Sequence, residues 1–350
     1  LLGCLVQGMV PCIPMAYAGG RIIRAMRFSS KAVGLASAVI TVLIWTGFIV
    51  IARASASRGL LPLDIALARI VGASTILLPW AWWLMRPARQ AGQKTGSLAG
   101  LSPLPLAPTL QAGIFGGLLY AVLAYSAFFF APATHASVLM PGSLPLWTTL
   151  LAWLVLREKV SSARAMGLGF IVLGDVLVGG ASLLKAFEGG EVWKGDLLFM
   201  SAAFCWSCYS VTVRRHSLDP VRATIAITAF SCVTFVPIYA LAVSSGLIAS
   251  HLNAAPESEM LFQAIYQGVG SVVISGITFN VMIRHYGPVR STMITALVPG
   301  LSALGAVAVL GEPMHLNLLA GLALVTCGIL FGVRQTAAQP VKAVAQGSAA

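Results

Sequence analysis

The feature that most constrains this chain is the recurrence of long apolar stretches. Ten runs of mostly apolar residues lie at roughly 34–52, 63–85, 111–131, 136–156, 165–184, 195–213, 222–243, 262–283, 290–310 and 316–333. About 20 such residues, at about 1.5 Å of rise each, match a hydrocarbon core of about 30 Å. Backbone that crosses lipid must satisfy its own hydrogen bonds, so each run reads as a helix. We number them spans 1 to 10. The breaks between them carry charge, Pro, Gly or Asn, as at Arg53–Gly59, Arg86–Gly100 and Ser250–Ser258. No connection is long enough to hold a core of its own.

Composition narrows the class. Hydrophobic residues make up 58% of the 350 and charged residues only 9%, against about 25% charged in soluble domains. That excludes most soluble enzymes, and disorder with them. Lys plus Arg number 22 against 10 acidic residues, a net charge of +12. Such an excess can mark nucleic-acid binding, but cytoplasmic loops of membrane proteins also collect cations. With both termini cytoplasmic, the inner segments hold 17 cations: Arg21, Arg24, Arg27, Lys31, Arg86, Arg89, Lys94, Arg157, Lys159, Arg164, Arg214, Arg215, Arg222, Arg284, Arg290, Arg334 and Lys342. The outer segments hold 4, namely Arg53, Arg58, Lys185 and Lys194. The remaining cation, Arg69, falls inside span 2. The excess therefore reports orientation, and no nucleic-acid partner is expected. Trp80, Trp82, Trp83 and Trp193 suit interfacial belts. Leu1–Cys4 loosely resembles a lipoprotein cleavage box, but no charged segment precedes it and lipidation is not expected. The first residue is not Met, and Met9, Met15 and Met26 are candidate starts.

The chain also matches itself. At an offset of 154, Ser137 meets Ser291, Pro145 meets Pro299, Glu158 meets Glu312, Gly167 meets Gly321 and Gly174 meets Gly328. Ten of 38 ungapped positions over 137–174 are identical, against about four by chance in so apolar a chain. An offset of 161 pairs Gly34 with Gly195, Trp45 with Trp206 and Arg53 with Arg214; an offset of 158 pairs Pro62 with Pro220 and Pro79 with Pro237. Consistent offsets in chain order indicate duplication of a five-span unit. Five is odd, so the second unit must enter the bilayer from the opposite side, the inverted-repeat plan of many secondary transporters.

These residues resemble the ten-helix drug/metabolite transporter superfamily, EamA type, over about 34–334. The carriers are Ile44-Trp45-Thr46-Gly47 and Arg69, then Pro145, Arg157-Glu158 and Gly167, which return as Pro299, Gly311-Glu312-Pro313 and Gly321. Gly195-Asp196 and Cys205-Trp206-Ser207 belong to the same pattern. The resemblance implies transport, most often export, of amino acids, other metabolites or drugs. It implies a central cavity lined by spans 1, 3, 4, 6, 8 and 9, with spans 5 and 10 behind.

On those spans the candidate substrate contacts are Trp45, Thr46, Tyr120, Tyr125, Ser143, Trp147, Trp206, Ser207, Tyr209, Ser275, Asn280 and Thr295. They offer aromatic faces and hydroxyls but no fixed charge, which suits an apolar or zwitterionic solute. The competing role for each Ser or Thr is to join helices. Pro145 and Pro299 sit inside spans 4 and 9, where a missing N–H opens a kink, either static or a gate hinge. Glu158 and Glu312 begin the turns into spans 5 and 10. They either cap helix starts or hold one gate each, Glu158 inside and Glu312 outside. Asp175 departs from the family pattern in span 5. It either neutralises Arg69 or takes up a proton during transport. Gly328-x-x-x-Gly332 packs within the chain or in a homodimer.

Catalytic chemistry has no foothold. Cys205-x-x-Cys208 lies inside a span and no further Cys or His completes a metal site. There is no phosphate loop and no Gly-x-Ser-x-Gly elbow. The sequence thus predicts an all-α integral membrane protein of ten transmembrane helices in two inverted five-helix repeats. An N-terminal segment 1–33 precedes the repeats 34–184 and 195–334, and a tail 335–350 follows. It predicts a secondary transporter of a bacterial-type cytoplasmic membrane, without cofactor, metal or catalytic residue, whose partners are the bilayer, a small solute and a proton or counter-substrate. The alternatives are an importer of the same fold, a non-transporting sensor or an intramembrane enzyme.

Overall fold

The computed structural model describes residues 30–56, 59–92, 96–186, 190–295 and 297–334. The expectations placed on residues 1–29, Arg58, Lys94 and the 335–350 tail lie outside the described residues.

Apart from an isolated bridge between Ser97 and Ser102, the described residues are helices and their connections. In chain order they are α1 (Ser30–Ala56), α2 (Pro62–Gln90), α3 (Leu106–Phe130), α4 (Ala133–Leu156), α5 (Ser162–Ala186), α6 (Val192–Arg215), α7 (Pro220–Ser244), α8 (Glu257–Tyr286), α9 (Pro288–Leu310) and α10 (Leu316–Arg334). Among the described residues nine are long and apolar enough to cross a membrane, and the apolar stretch Leu316–Phe331 of α10 is shorter. Several starts are written locally. Pro62, Pro220 and Pro288 occupy the first helical position, where a missing N–H costs nothing. Asp219 caps α7, accepting from the N–H groups of Val221 and Arg222 at 3.1 Å each. Leu35, Leu43, Leu173, Val176, Ile238, Leu241 and Val309 are exposed, an apolar exterior that suits lipid.

Polar ties gather five of the connections at one end. Arg53 at the end of α1 and Ala133 at the start of α4 both bond Glu312, between α9 and α10. His135 bonds Asp196 of α6 at 2.9 Å, and Asp64 of α2 accepts from the N–H of His251 between α7 and α8. We call this the Glu312 end, and the opposite one the Glu158 end.

α4 and α9 are each broken. α4 runs Ala133–Leu139, turns through 140–143 and resumes at Leu144–Leu156; α9 runs Pro288–Ile294 and resumes at Leu297–Leu310. Each break lies just ahead of its proline. Pro145 and Pro299 therefore sit in the first turn of the second piece rather than at a bend within a continuous helix. The reason is that proline cannot donate to the carbonyl four residues back, and its ring clashes with that carbonyl.

α5 and α10 pack chiefly on each other. A Cβ at Gly174 would stand 2.7 Å from the Gly321 carbonyl oxygen, and one at Gly328 would stand 2.4 Å from that of Gly167. Only glycine permits this approach, so Gly328 is used for packing within the chain.

Candidate functional site

The centre of the bundle is aromatic. Trp45 of α1 meets Trp206 of α6 edge-on at 5.7 Å between ring centroids and Phe279 of α8 at 4.9 Å. Tyr120 of α3 lies 4.8 Å from Trp206, and Tyr209 lies 5.3 Å from it. The two tryptophans that the repeat places at equivalent positions are thus in contact.

Trp206 separates two cavities. The first is bounded by Arg69 and Ala73 of α2, Gly116 and Gly117 of α3, Thr228 and Ser231 of α7, and Ser271 of α8. The second is bounded by Trp45 and Phe48 of α1, Tyr120 of α3, Met140 and Leu144 of α4, and Val298 of α9. Trp206 faces both. Neither cavity has a lining residue from α5 or α10, as expected. The lining by α2 and α7 corrects the expected set of helices, since neither was among the spans given a role in the cavity.

Two wide turns shape the first cavity. Gly113–Leu119 in α3 and Ala264–Ile274 in α8 are π-helical, a form frequent at functional sites. They contribute Gly116, Gly117, Ser271 and Val272 to the wall. A Cβ at Gly117 would stand 2.3 Å from Ser231 Oγ, inside the cavity wall.

Arg69 is 5% exposed. Its Nη1 donates to Ser271 Oγ at 3.0 Å and more weakly to Tyr125 OH at 3.5 Å. Its guanidinium carbon stands 5.8 Å from the ring centroids of both Phe48 and Tyr120, within cation–π range. Tyr125 OH donates onward to Gln267 Oε1 at 3.0 Å. Asp175 does not neutralise Arg69. It is buried in α5, and both carboxylate oxygens lack a hydrogen-bond partner among the described residues. The physical reason is placement. Asp175 belongs to the helix that packs on α10, whereas Arg69 faces the central cavity.

The other expected contacts divide by the bonds they make. Trp45 Nε1 donates to Ser275 Oγ at 3.2 Å, and Ser275 donates to the Ser271 carbonyl. Asn280 Nδ2 donates to Tyr209 OH at 2.6 Å and to Thr224 Oγ1 at 3.2 Å, joining α6, α7 and α8 behind Trp206. Ser207 accepts from Thr148 at 2.9 Å and joins α4 to α6. Ser143 and Thr295 donate to carbonyls of their own turns, those of Leu139 and Thr292, the local habit of hydroxyls in apolar helices. Thr46 Oγ1 and Trp147 Nε1 are buried without a partner, and neither residue lines the cavities. Of the twelve expected contacts, Trp45, Tyr120 and Trp206 form cavity wall. The sequence reading missed Thr228 and Ser231, although Thr224, Thr228 and Ser231 share one face of α7 at i, i+4, i+7.

The ends carry the second constellation. Glu312 accepts from the N–H groups of Ala133 and Thr134 at 3.0 and 2.9 Å and from Arg53 Nε at 3.3 Å. Arg53 Nη1 also donates to the Phe128 carbonyl at 2.6 Å. One carboxylate thus ties α1, the α3–α4 corner and the α9–α10 turn together. At Glu158 the turn is similar. The preceding residue is left-handed in both turns, Arg157 at φ 56° and Gly311 at φ 66°. The Glu N–H then bonds the carbonyl six residues back, Ala152 or Ala306, at 3.2 and 3.4 Å. Among the described residues, however, the Glu158 carboxylate has no hydrogen bond or ion pair.

A bundle in which nine helices among the described residues are long and apolar enough to cross a membrane is a multi-pass membrane protein. The model of the EamA-like transporter family matches residues 32–180 and 193–334, and the chain belongs to that family, within the drug/metabolite transporter superfamily. It is 25% identical over 62% of its length to "Uncharacterized transporter YyaM" of Bacillus subtilis, covering 69% of that protein. It is 25% identical over 65% of its length to the "Probable amino-acid metabolite efflux pump" of Salmonella typhimurium, covering 77% of that protein. A "WAT1-related protein" of Arabidopsis thaliana is 23% identical over 81% of this chain and 80% of its own. A solved crystal structure covers 88% of this chain and 98% of its own, with a TM-score of 0.57 at 21% identity; that likeness concerns the fold alone. Family and relatives point to a membrane transporter of small solutes rather than an enzyme.

Proposed function

We propose that this protein is a secondary-active carrier that exports a small metabolite or an amino-acid-like, amphipathic solute by alternating access across a bacterial-type cytoplasmic membrane. Its helices form two inverted five-helix repeats, 34–184 and 195–334, with both termini cytoplasmic. The 17-to-4 cation bias supports that orientation, and the efflux name of one relative supports the outward direction.

One observation carries the reading. Glu158 and Glu312 end a similar turn, yet among the described residues only Glu312 is latched. In a carrier built from inverted repeats the two ends exchange roles. In the second state Glu312 releases, and Glu158 takes up Arg214, the repeat partner of Arg53, together with the start of α9. Asp175, buried and unpaired, is the candidate for proton uptake, because an ionised carboxylate without a partner is costly there.

Thiol labelling tests the reading. Thr228→Cys, in a chain stripped of its native cysteines, places a thiol on the first cavity. A membrane-impermeant reagent should reach it from each side of a proteoliposome in turn, with the balance shifted by transported solute. Labelling from one side under every condition, with no flux from a broad metabolite panel, overturns it. For coupling, Asp175→Asn should flatten the pH dependence of transport; an unchanged profile removes Asp175 from that role.

A further inference from the structure

We propose that the first cavity is an anion subsite in which Arg69 grips the carboxylate of an amphipathic organic acid, while the acid's apolar part crosses Trp206 into the second cavity. This rests on the carrier reading above and adds a substrate class to it.

Arg69 is the only charged residue lining either cavity, and no carboxylate stands within ion-pair distance of it among the described residues. A cation held in a membrane interior without a counter-charge is costly. The rings of Phe48 and Tyr120 offset only part of that. A bound anion would supply the missing charge.

The donors of Arg69 are not exhausted. Of its five N–H bonds, only those on Nη1 have protein acceptors. Nε and Nη2 donate to no described residue. That edge of a guanidinium is a fork matched to the two oxygens of a carboxylate.

The same cavity holds further polar groups without protein partners. Trp206 Nε1, Thr228 Oγ1 and Ser231 Oγ are all buried and unsatisfied, and their residues line the first cavity at 5%, 2% and 3% exposure. Buried polar atoms are nearly always bonded, so three orphans on residues that line one cavity beside an unpaired cation point to an occupant that accepts hydrogen bonds. Across Trp206 the second cavity is walled by Phe48, Ile49, Leu144 and Val298, with no charge. It suits a hydrocarbon or aromatic body. Since no carboxylate lines either cavity, an ammonium group has no ionic partner. The arrangement favours a monocarboxylate over the zwitterion expected from the sequence.

Purified full-length protein in nanodiscs would be titrated with 3-phenylpropionate, its amide, phenylalanine and 2-phenylethyl phosphate, with tryptophan fluorescence as the readout. The acid should bind at least about tenfold more tightly than the amide or the amino acid, the loss expected when a charge-assisted hydrogen bond is removed. The phosphate ester, with a second charge and no second cation, should bind more weakly than the acid. Arg69→Gln should abolish the preference for acid over amide, and Arg69→Lys should restore part of it. If Arg69→Gln fails to fold, the Thr228→Val/Ser231→Ala pair decides: it should weaken the acid several-fold and the amide less. Equal binding of acid and amide, preference for the amino acid, or an acid affinity untouched by these variants overturns the subsite. Should the wild type bind none of the four yet transport another solute, the subsite fails and the carrier reading stands. Absence of any flux in the proteoliposome assay would sink the carrier reading instead.

Discussion

The Glu312 end and the Glu158 end have similar turns and differ in what surrounds them. In both, a helix closes on a left-handed residue and the next N–H reaches back to the carbonyl six residues before it. In one, the carboxylate meets two N–H groups and Arg53; in the other it meets none of the described residues. Local sequence therefore sets the turn. The latch is set by how the rest of the bundle is arranged, which is what a two-state element requires.

The most damaging change at the latched end should be Glu312→Ala. It leaves the N–H groups of Ala133 and Thr134, orphan donors of a helix start, without an acceptor. Glu312 is 11% exposed and Arg53 35%, so the ion pair contributes at most about 1 kcal/mol. The two backbone bonds bring the expected loss to about 2–3 kcal/mol. Thermal unfolding should register it, and thiol labelling of Thr228→Cys from the Glu312 side should accelerate. Unchanged labelling would mean that Glu312 closes nothing.

Two changes of opposite sign probe the similar turns. Gly311→Ala puts a Cβ on a left-handed residue with open space around it, so only the conformational cost of about 1–2 kcal/mol should appear. Arg157→Gly should relieve a similar strain at the other end and stabilise by about 1 kcal/mol, less the entropy that glycine returns to the unfolded chain. Melting temperatures should move apart. If both stay put, the likeness of the two turns has no energetic content.

How much of this was legible follows from the same division. The ten apolar runs each coincide with a helical segment, because lipid leaves the backbone few alternatives. Pairing Trp45 with Trp206 and Glu158 with Glu312 needed only the internal offset. Cavity residues were harder. Whether Thr228 or Ser231 meets solute or joins helices depends on the rotation of α7, which packing sets and no single residue reveals. The π-helical turns of α3 and α8 leave no clear trace in residue type. Arg69 and Asp175 look like partners because both are rare inside spans, yet one faces the centre and the other lies on the helix that packs on α10.

The smallest structural effect should come from Glu158→Gln, and it separates the readings most sharply. Among the described residues the Glu158 carboxylate holds nothing, so its loss should change stability by no more than about 0.5 kcal/mol, the range of ordinary surface substitutions. If the ends exchange, the same carboxylate is needed in the other state to hold Arg214 and the start of α9. Losing it would then bias the carrier toward the Glu312-latched form. Transport should fall while the melting temperature stays fixed, and labelling of Thr228→Cys from the Glu312 side should decline. Arg214→Gln should copy that pattern, and the double variant should lose little more than either single one, as expected for two members of one contact. Additive losses in the double variant would mean that Glu158 and Arg214 never meet, and Glu158 would then be only the end of a turn.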